Sequence, residues 1–500
     1  MTRSGGPGAA APGAAGSGPA SGFSLLQRDH RWPAAEVRVA SDVVAVALAT
    51  AGVAPGTVVA HQFELGAGGP VALGGIVAAG AVLAPAHPDW TSFERDAFLE
   101  ALCPAAALTG PGAAWPASGW TARPLSIPVA GEIVLRQRRG AGEGAGDGPG
   151  VGAGAILATS GSGGVPRYVV HDWRSLRANA EAANERLGFG SEDRWLATLA
   201  WAHVGGLAVP LRAAAAGATV GLASPRFDAA AVSRALTGLA ITHLSLVPGM
   251  LHGLLEAGAR PPDSLRAVLL GGAATPPTLL DRALEAGWPI ALTYGLTEAG
   301  SQVATATPRE VRAGDRSCGR PLRGVEVRTR PADDSDESTA LAPPHTHEGH
   351  IKVRGPTLFR GYIGESGRPQ GVWFATGDLG RLDANGRLLV TGRLRDRIVS
   401  GGTNVDPCQI EVVLAAHPEV REAAVVGLPD ETWGQIVTAV VAGDDPDLAA
   451  RLGVWCRERL SGARRPRRWE IVERLPRTAT GKVDRARLEA LVARRAGRSQ

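Results

Sequence analysis

The chain has 500 residues, 44% of them hydrophobic and 20% charged, with a formal net charge of +4. That length exceeds what one compact core organises, so two to four domains are expected. The apolar share is that of a globular protein, which sets aside a disordered or fibrous chain, and so small a net charge sets aside nucleic acid as the default partner.

Residues 1–22 are Gly, Ala, Pro and Ser without an apolar h-region, and are expected to form a disordered tail rather than a signal peptide. From Phe23 to about Gln137, helical apolar patterns alternate with runs such as Val58-Val-Ala60 and Ala81-Val-Leu-Ala84, an α/β texture. The stretch from Gly69 to Ala86 is nearly all apolar but broken by Gly and Pro. It reads as a buried helix and turn, not a membrane span. A glycine-rich linker over 140–154 leads into Ala155-Ile-Leu-Ala158, a short buried strand with a Gly/Ser loop directly behind it. Strands are predicted at Val268-Leu-Leu270 and Ile290-Ala-Leu-Thr293, with a helix from Leu279 to Ala286. From Gly319 to Val390 the pattern turns β-rich around an acidic loop at 331–347. Beyond Gly392 a compact α+β unit follows, with helices over 411–417 and 448–460 and a strand over 422–427.

Cys103, Cys318, Cys408 and Cys456 lie far apart without metal-ligand spacing, as expected of free thiols in a reducing cytoplasm. The basic run Arg464, Arg465, Arg467 and Arg468 beside Trp469 reads as a solvated turn. Lysine is almost absent: Lys352 and Lys482 stand alone in a chain that uses arginine elsewhere. A compact ammonium on a flexible stem is not equivalent to a guanidinium fork at a crowded phosphate or carboxylate, so Lys482, near the C-terminus, is a candidate functional group.

Five segments carry chemistry. Thr159-Ser-Gly-Ser-Gly-Gly-Val-Pro-Arg167 follows a strand and offers backbone N–H groups and hydroxyls to phosphate oxygens. It lacks the Gly-Lys-Ser/Thr ending of a Walker A loop. Leu292-Thr-Tyr-Gly-Leu-Thr-Glu298 combines an aromatic face for a flat base, a hydroxyl on Thr297 and a hard oxygen ligand for Mg²⁺ on Glu298. In Trp373-Phe-Ala-Thr-Gly-Asp378 the carboxylate suits a ribose diol, and an Asp in this setting is also an ordinary turn residue. Arg393, after Gly392, opens a Gly-paired segment into the last domain, and Lys482 completes the set.

In this order the motifs resemble the adenylate-forming superfamily of acyl-CoA synthetases, adenylation domains and luciferases, from about Phe23 to Leu491. The resemblance implies an α/β fold. A large N-terminal domain of stacked α/β sheets with a β-barrel-like subdomain (23–394) would be joined to a small mobile α+β C-terminal domain (395–500). It implies ATP, Mg²⁺ and coenzyme A as cofactors and co-substrates, with Mg²⁺ held by Glu298. It assigns Thr159, Ser160, Gly161, Ser162, Gly163, Gly164, Arg167, Gly272, Ala273, Tyr294, Asp378 and Arg393 to the nucleotide. Lys482, Thr297, Glu298 and His203 become catalytic, Arg395 the hinge, and Gly401 and Gly402 the coenzyme A side. The reaction implied is adenylation of a carboxylate, then a domain swing and displacement of AMP by a thiol.

Four positions depart from the family pattern: Gly163 for Thr, Arg167 for Lys, Arg395 for Asp and Gln409 for Glu. The acyl pocket implied comprises Trp201, His203, Val247, Gly271, Gly295 and Ser301. Within the superfamily, the segments at 201–207, 243–248, 269–274, 294–303 and 426–435 look most like the o-succinylbenzoate–CoA ligases of menaquinone synthesis. Other readings stay open here: another acyl- or aryl-CoA synthetase, a stand-alone adenylation enzyme loading a carrier protein, or a non-catalytic nucleotide-binding homologue. The expected partners are small molecules, with no nucleic acid and no membrane span; a homodimer is admitted, and the cytoplasm is the expected compartment.

Overall fold

The computed structural model describes residues 22–28, 30–139, 152–159, 166–330, 348–365, 367–368, 371–400, 403–430, 432–445, 447–460, 462–478 and 483–496. The Gly/Ala tail, most of the glycine-rich linker and the acidic loop at 331–347 lie outside them.

Two large sheets carry most of the chain. The first has nine strands. Six run parallel in the order Ile290–Leu296, Ala267–Leu270, His243–Leu246, Arg194–Ala197, Thr219–Leu222 and Ser24–Gln27, with antiparallel strands added at both ends. The second has eight strands around a parallel centre of Ala155–Thr159, Val82–Pro85, Val58–Gln62 and Ala106–Thr109. A four-stranded antiparallel sheet follows, ordered Glu326–Arg330, Gly349–Arg354, Phe374–Leu382, Leu388–Arg393. The last sheet has five strands centred on Gly434–Ala442.

Helix composition explains the layering. In Gly68–Ala78 the residues Gly69, Pro70, Val71, Ala72, Leu73, Gly75 and Ile76 are all buried, and the helix is exposed only at its C-terminal end. A helix apolar on every side belongs between two apolar surfaces. The largest apolar cluster accordingly joins Val220 and Trp195 of the first sheet to Val59, Leu83 and Leu108 of the second. Helices Ala34–Thr50, Gly68–Ala78, Trp173–Leu187 and Val204–Ala216 contribute further members. Helices Ala229–Gly238, Pro248–Glu256 and Pro277–Glu285 cover the opposite face of the nine-stranded sheet, where Leu251, Leu254, Leu280 and Trp288 are buried. The stretch from Gly69 to Ala86 is more than a helix and turn: Gly80, at φ 67°, ends the helical part and the chain enters the strand Val82–Pro85.

The last sheet joins the rest through a tight contact. A Cβ on Gly392 would lie 2.1 Å from Asp406 Oδ2, so this strand can approach the start of helix Pro407–Ala415 only as glycine. Among the described residues no helix is long and apolar enough to cross a membrane, and all four cysteines are free.

Ile76 is fully buried within the inter-sheet layer. Ile76→Ala should therefore cost about 2–5 kcal/mol of stability, measured as a lowered urea midpoint with an unchanged slope. A change below about 1 kcal/mol would mean that the layer collapses readily around the lost volume.

Candidate functional site

The nucleotide-side groups of the sequence meet around one buried carboxylate. Strands Phe374–Leu382 and Leu388–Arg393 are antiparallel neighbours with Asp378 opposite Arg393. Arg393 Nε donates to Asp378 Oδ1 at 2.9 Å. From the nine-stranded sheet, Tyr294 donates its hydroxyl to Asp378 Oδ2 at 2.6 Å. Asp378 is 5% exposed, and its own N–H donates to Thr376 Oγ1 at 3.1 Å. A carboxylate taken from water needs such donors, and each oxygen still keeps a lone pair for a further hydroxyl. Burial, and then the Asp378 charge, hold the Tyr294 phenol well above its ordinary value.

Thr297 and Glu298 occupy the short turn between strands Ile290–Leu296 and Ser301–Ala306. The register of this hairpin shifts between Tyr294 and Gly295, where a Cβ on Gly295 would fall 2.1 Å from the Ser301 carbonyl oxygen. No side chain fits there, and the close approach presents the turn. Its floor is anchored by His171, whose Nε2 lies 2.7 Å from the Thr297 carbonyl. Because a carbonyl can only accept, Nε2 carries the proton and Nδ1 faces Ser175 Oγ at 3.0 Å. Burial lowers the His171 pKa to about 4, so the ring is neutral. Glu298 Oε1 accepts from the Tyr362 hydroxyl at 2.8 Å. The Arg167 guanidinium lies 3.4 Å above the Tyr362 ring and pairs with Glu365 at 2.7 Å. Thr159 and Arg167 face each other across a strand pair, which brings the two ends of the Gly/Ser segment together.

Among the described residues no group of three or more His, Cys, Asp or Glu could hold a metal ion. Glu298 fits a hard cation differently: Tyr362 orients one of its oxygens, and a single carboxylate suits a Mg²⁺ that keeps its remaining ligands from phosphates and water.

The acyl-side residues gather at the ends of parallel strands. Gly271, Gly272 and Ala273 follow strand Ala267–Leu270, and Val247 precedes helix Pro248–Glu256. Trp201 is buried and donates its indole N–H to the Glu64 carbonyl at 3.0 Å. His203 stands at the N-cap of helix Val204–Ala216. The same helix holds a residue that sequence reasoning passed over. Arg212 is fully buried, donates from Nη2 to Ser301 Oγ at 3.1 Å and lies 4.8 Å over the Trp195 ring. Its Nε and Nη1 have no hydrogen-bond partner among the described residues, and burial pushes its pKa down to about 9. The signal was legible as one charge inside a Gly/Ala/Val/Leu helix.

Arg395 lies in the short turn Leu394–Asp396 between the four-stranded and the last sheet. Ser160, Gly161, Ser162, Gly163, Gly164, Gly401, Gly402 and Lys482 lie outside the described residues, whereas the flanking Arg477 and Val483 form an antiparallel bridge. Arg485, just beyond, pairs with Glu411 at 2.8 Å and Asp396 at 3.1 Å.

Known proteins share this arrangement. Residues 19–363 match the AMP-binding enzyme family, and residues 409–482 match the AMP-binding enzyme C-terminal domain. A 2-succinylbenzoate–CoA ligase of Bacillus mycoides is 37% identical over 343 residues, covering 67% of this chain and 70% of that protein. The o-succinylbenzoate CoA synthetase of Bacillus subtilis, solved with the acyl-adenylate intermediate OSB-AMP, superposes with a TM-score of 0.79 at 28% identity. That superposition covers 94% of this chain and 95% of the other. The same synthetase solved with ATP and magnesium ion gives a TM-score of 0.77 at 28% identity over 94% and 96% of the two chains.

The chain's three tyrosines, Tyr168, Tyr294 and Tyr362, all sit where burial disfavours the phenolate, so each titrates above its ordinary value. An alkaline titration followed at 295 nm should show no phenolate step near pH 10 in the folded protein. A full three-tyrosine step there, with the fold intact, would contradict this placement.

Proposed function

The chain belongs to the AMP-binding enzyme family, and we propose that it is an ATP-dependent acid–thiol ligase that adenylates o-succinylbenzoate and transfers the acyl group to coenzyme A. The likeness to 2-succinylbenzoate–CoA ligases supports the reaction class. The observation that carries the acid is Arg212.

A guanidinium buried without a counter-ion is expensive, and a protein keeps one where a ligand supplies the opposite charge. Arg212 touches Ser301, which shares the hairpin with Gly295 and Glu298, and its Nε and Nη1 still carry N–H groups with no partner among the described residues. The occupant it fits is a second carboxylate, distant from the one being activated. o-Succinylbenzoate has that form: the succinyl carboxylate reacts while the benzoate carboxylate stays charged. Trp195 lies against the guanidinium and donates to Ser245 Oγ at 3.0 Å, which fixes the indole face beneath the cation.

In the first half-reaction the succinyl carboxylate attacks the α-phosphorus of Mg·ATP and pyrophosphate leaves. Asp378, held by Tyr294 and Arg393, accepts from the ribose hydroxyls with the lone pairs those donors leave open. Thr297 and Glu298 would face the phosphates, and Glu298 would supply one oxygen to hold the cation that comes with ATP, which would offset phosphate charge. Arg167 and the Gly/Ser segment counter phosphate charge. Lys482 bridges carboxylate and α-phosphate as charge builds between them. In the second half-reaction the C-terminal unit, residues 395–500, turns about Arg395. Gly401 and Gly402 replace Lys482 at the site, and the coenzyme A thiol displaces AMP past His203. We place the enzyme in the cytoplasm, where ATP and coenzyme A are at hand and its free thiols stay reduced.

ATP–pyrophosphate exchange tests the acid directly. Arg212→Met should lower kcat/KM for o-succinylbenzoate about 100-fold while leaving exchange with 4-oxo-4-phenylbutanoate, which lacks the second carboxylate, within about threefold. Equal loss on both acids would sink the role of Arg212. Lys482→Ala should cut adenylation by orders of magnitude yet retain most thioester formation from preformed acyl-adenylate. Equal loss in the two half-reactions would refute the role of Lys482.

A further inference from the structure

Beside His203 the structure places a second imidazole to which no role has been given above. His87 follows strand Val82–Pro85 of the eight-stranded sheet, and His203 follows strand Arg194–Ala197 of the nine-stranded sheet. Both stand beyond the C-terminal ends of parallel strands, where α/β sheets hold their ligands. The two ring centroids are 5.1 Å apart with planes tilted by 37°.

The His87 ring is firmly held. It is 5% exposed, its Nδ1 accepts the Asp89 N–H at 3.1 Å, and its carbonyl accepts from Gln62 Nε2 at 3.3 Å. With Nδ1 accepting, the neutral ring carries its proton on Nε2. Asp89 is tied down in turn: Arg226, from the loop after strand Thr219–Leu222, bonds Asp89 Oδ1 at 2.7 Å and Glu64 Oε1 at 3.1 Å. The Glu64 carbonyl holds the Trp201 indole, two residues before His203. The charged groups facing His87 are thus Asp89, Arg226 and Glu94, and burial outweighs them in lowering its pKa. The result is a rigid, neutral wall against one side of the His203 ring.

We propose that His87 is a positioning residue for the thioester-forming half-reaction. Its ring limits His203 to the orientation in which the thiol reaches the acyl-adenylate. This rests on the reading of His203 as the residue that gates the thiol. No proton or bond is assigned to His87 itself: sulfur bonds to the acyl carbon, the acyl–oxygen bond to AMP breaks, AMP keeps the electron pair, and the thiol proton passes to water.

Two substitutions separate the ring's role from mere support of the loop. In His87→Asn the amide oxygen takes the place of Nδ1 and keeps the Asp89 hydrogen bond, but the distal half of the ring is gone. In His87→Phe the ring stays and the acceptor is lost. With both half-reactions measured on the full chain, His87→Asn should slow thioester formation from preformed acyl-adenylate about tenfold and leave ATP–pyrophosphate exchange within about twofold. His87→Phe should restore thioester formation to within about threefold of the parent. The reverse order, with Asn near the parent and Phe impaired, or a parallel fall in both half-reactions, overturns the proposal. His203→Ala in the same assays identifies which premise failed. If it slows thioester formation and His87→Asn does not, the positioning role alone is wrong. If it leaves thioester formation unchanged, the gating role of His203 is wrong and the proposal falls with it.

Discussion

The innermost helices between the two large sheets must be apolar on nearly every side, and the rest of the molecule is arranged around that demand. Gly68–Ala78 meets it with Gly, Pro, Ala, Val, Leu and Ile alone, and Val204–Ala216 nearly does. Dry surroundings raise the electrostatic stakes of whatever polar group enters. Arg212 is the charge that enters, and it does so where the hairpin ending at Ser301 touches the layer. Under the proposed function the hydrophobic core and the cation that meets the acid would be one device: the packing that stabilises the fold also strips water from the guanidinium, so that a matching carboxylate would gain the most from meeting it.

The nucleotide side follows a different rule. There, each functional group is pinned by a neighbour from another element. Asp378 comes from the four-stranded sheet and is held by Tyr294 of the nine-stranded sheet. Glu298 is held by Tyr362, which belongs to the eight-stranded sheet. His171 of that same sheet supports the Thr297 carbonyl. Two other sheets thus converge on the five residues from Tyr294 to Glu298 near one edge of the nine-stranded sheet, and no one sheet could form the site alone. Preorganisation of this kind lets fixed dipoles meet developing charge without rearrangement.

Much of this was legible in the sequence because local chemistry dictates it. Tyr294, Glu298, Asp378 and Arg393 sit in short motifs, and the strands at 267–270 and 290–296 announce themselves by apolar runs. The supports were not legible. His171, Tyr362 and His87 are remote in sequence from the groups they hold, and only the sheet topology joins them. The strand Val82–Pro85 was only half legible: the run Ala81-Val-Leu-Ala84 stood out in the α/β texture, but burial on both faces removes the alternation that separates a strand from the end of an apolar helix, so the wider stretch also read as helix and turn. Arg212 could have been noticed as a lone charge in an apolar helix, but that its Nε and Nη1 find no partner among the described residues is a three-dimensional fact.

The tight hairpin at Gly295 and Ser301 carries a consequence for how such enzymes can diverge. Under the proposed function one turn would present Glu298 toward the phosphates and Ser301 toward the acid, with the two strands in contact at Gly295. A bulkier residue in this hairpin, chosen to admit a different acid, would displace the carboxylate on which phosphate chemistry depends. Evolution toward new acids is thereby steered away from the hairpin and onto the helix opposite, where Arg212 can be exchanged without moving any group that touches ATP. Acid choice and phosphate chemistry share a wall, yet they can be inherited separately because the charge that selects the acid stands on the other side of it.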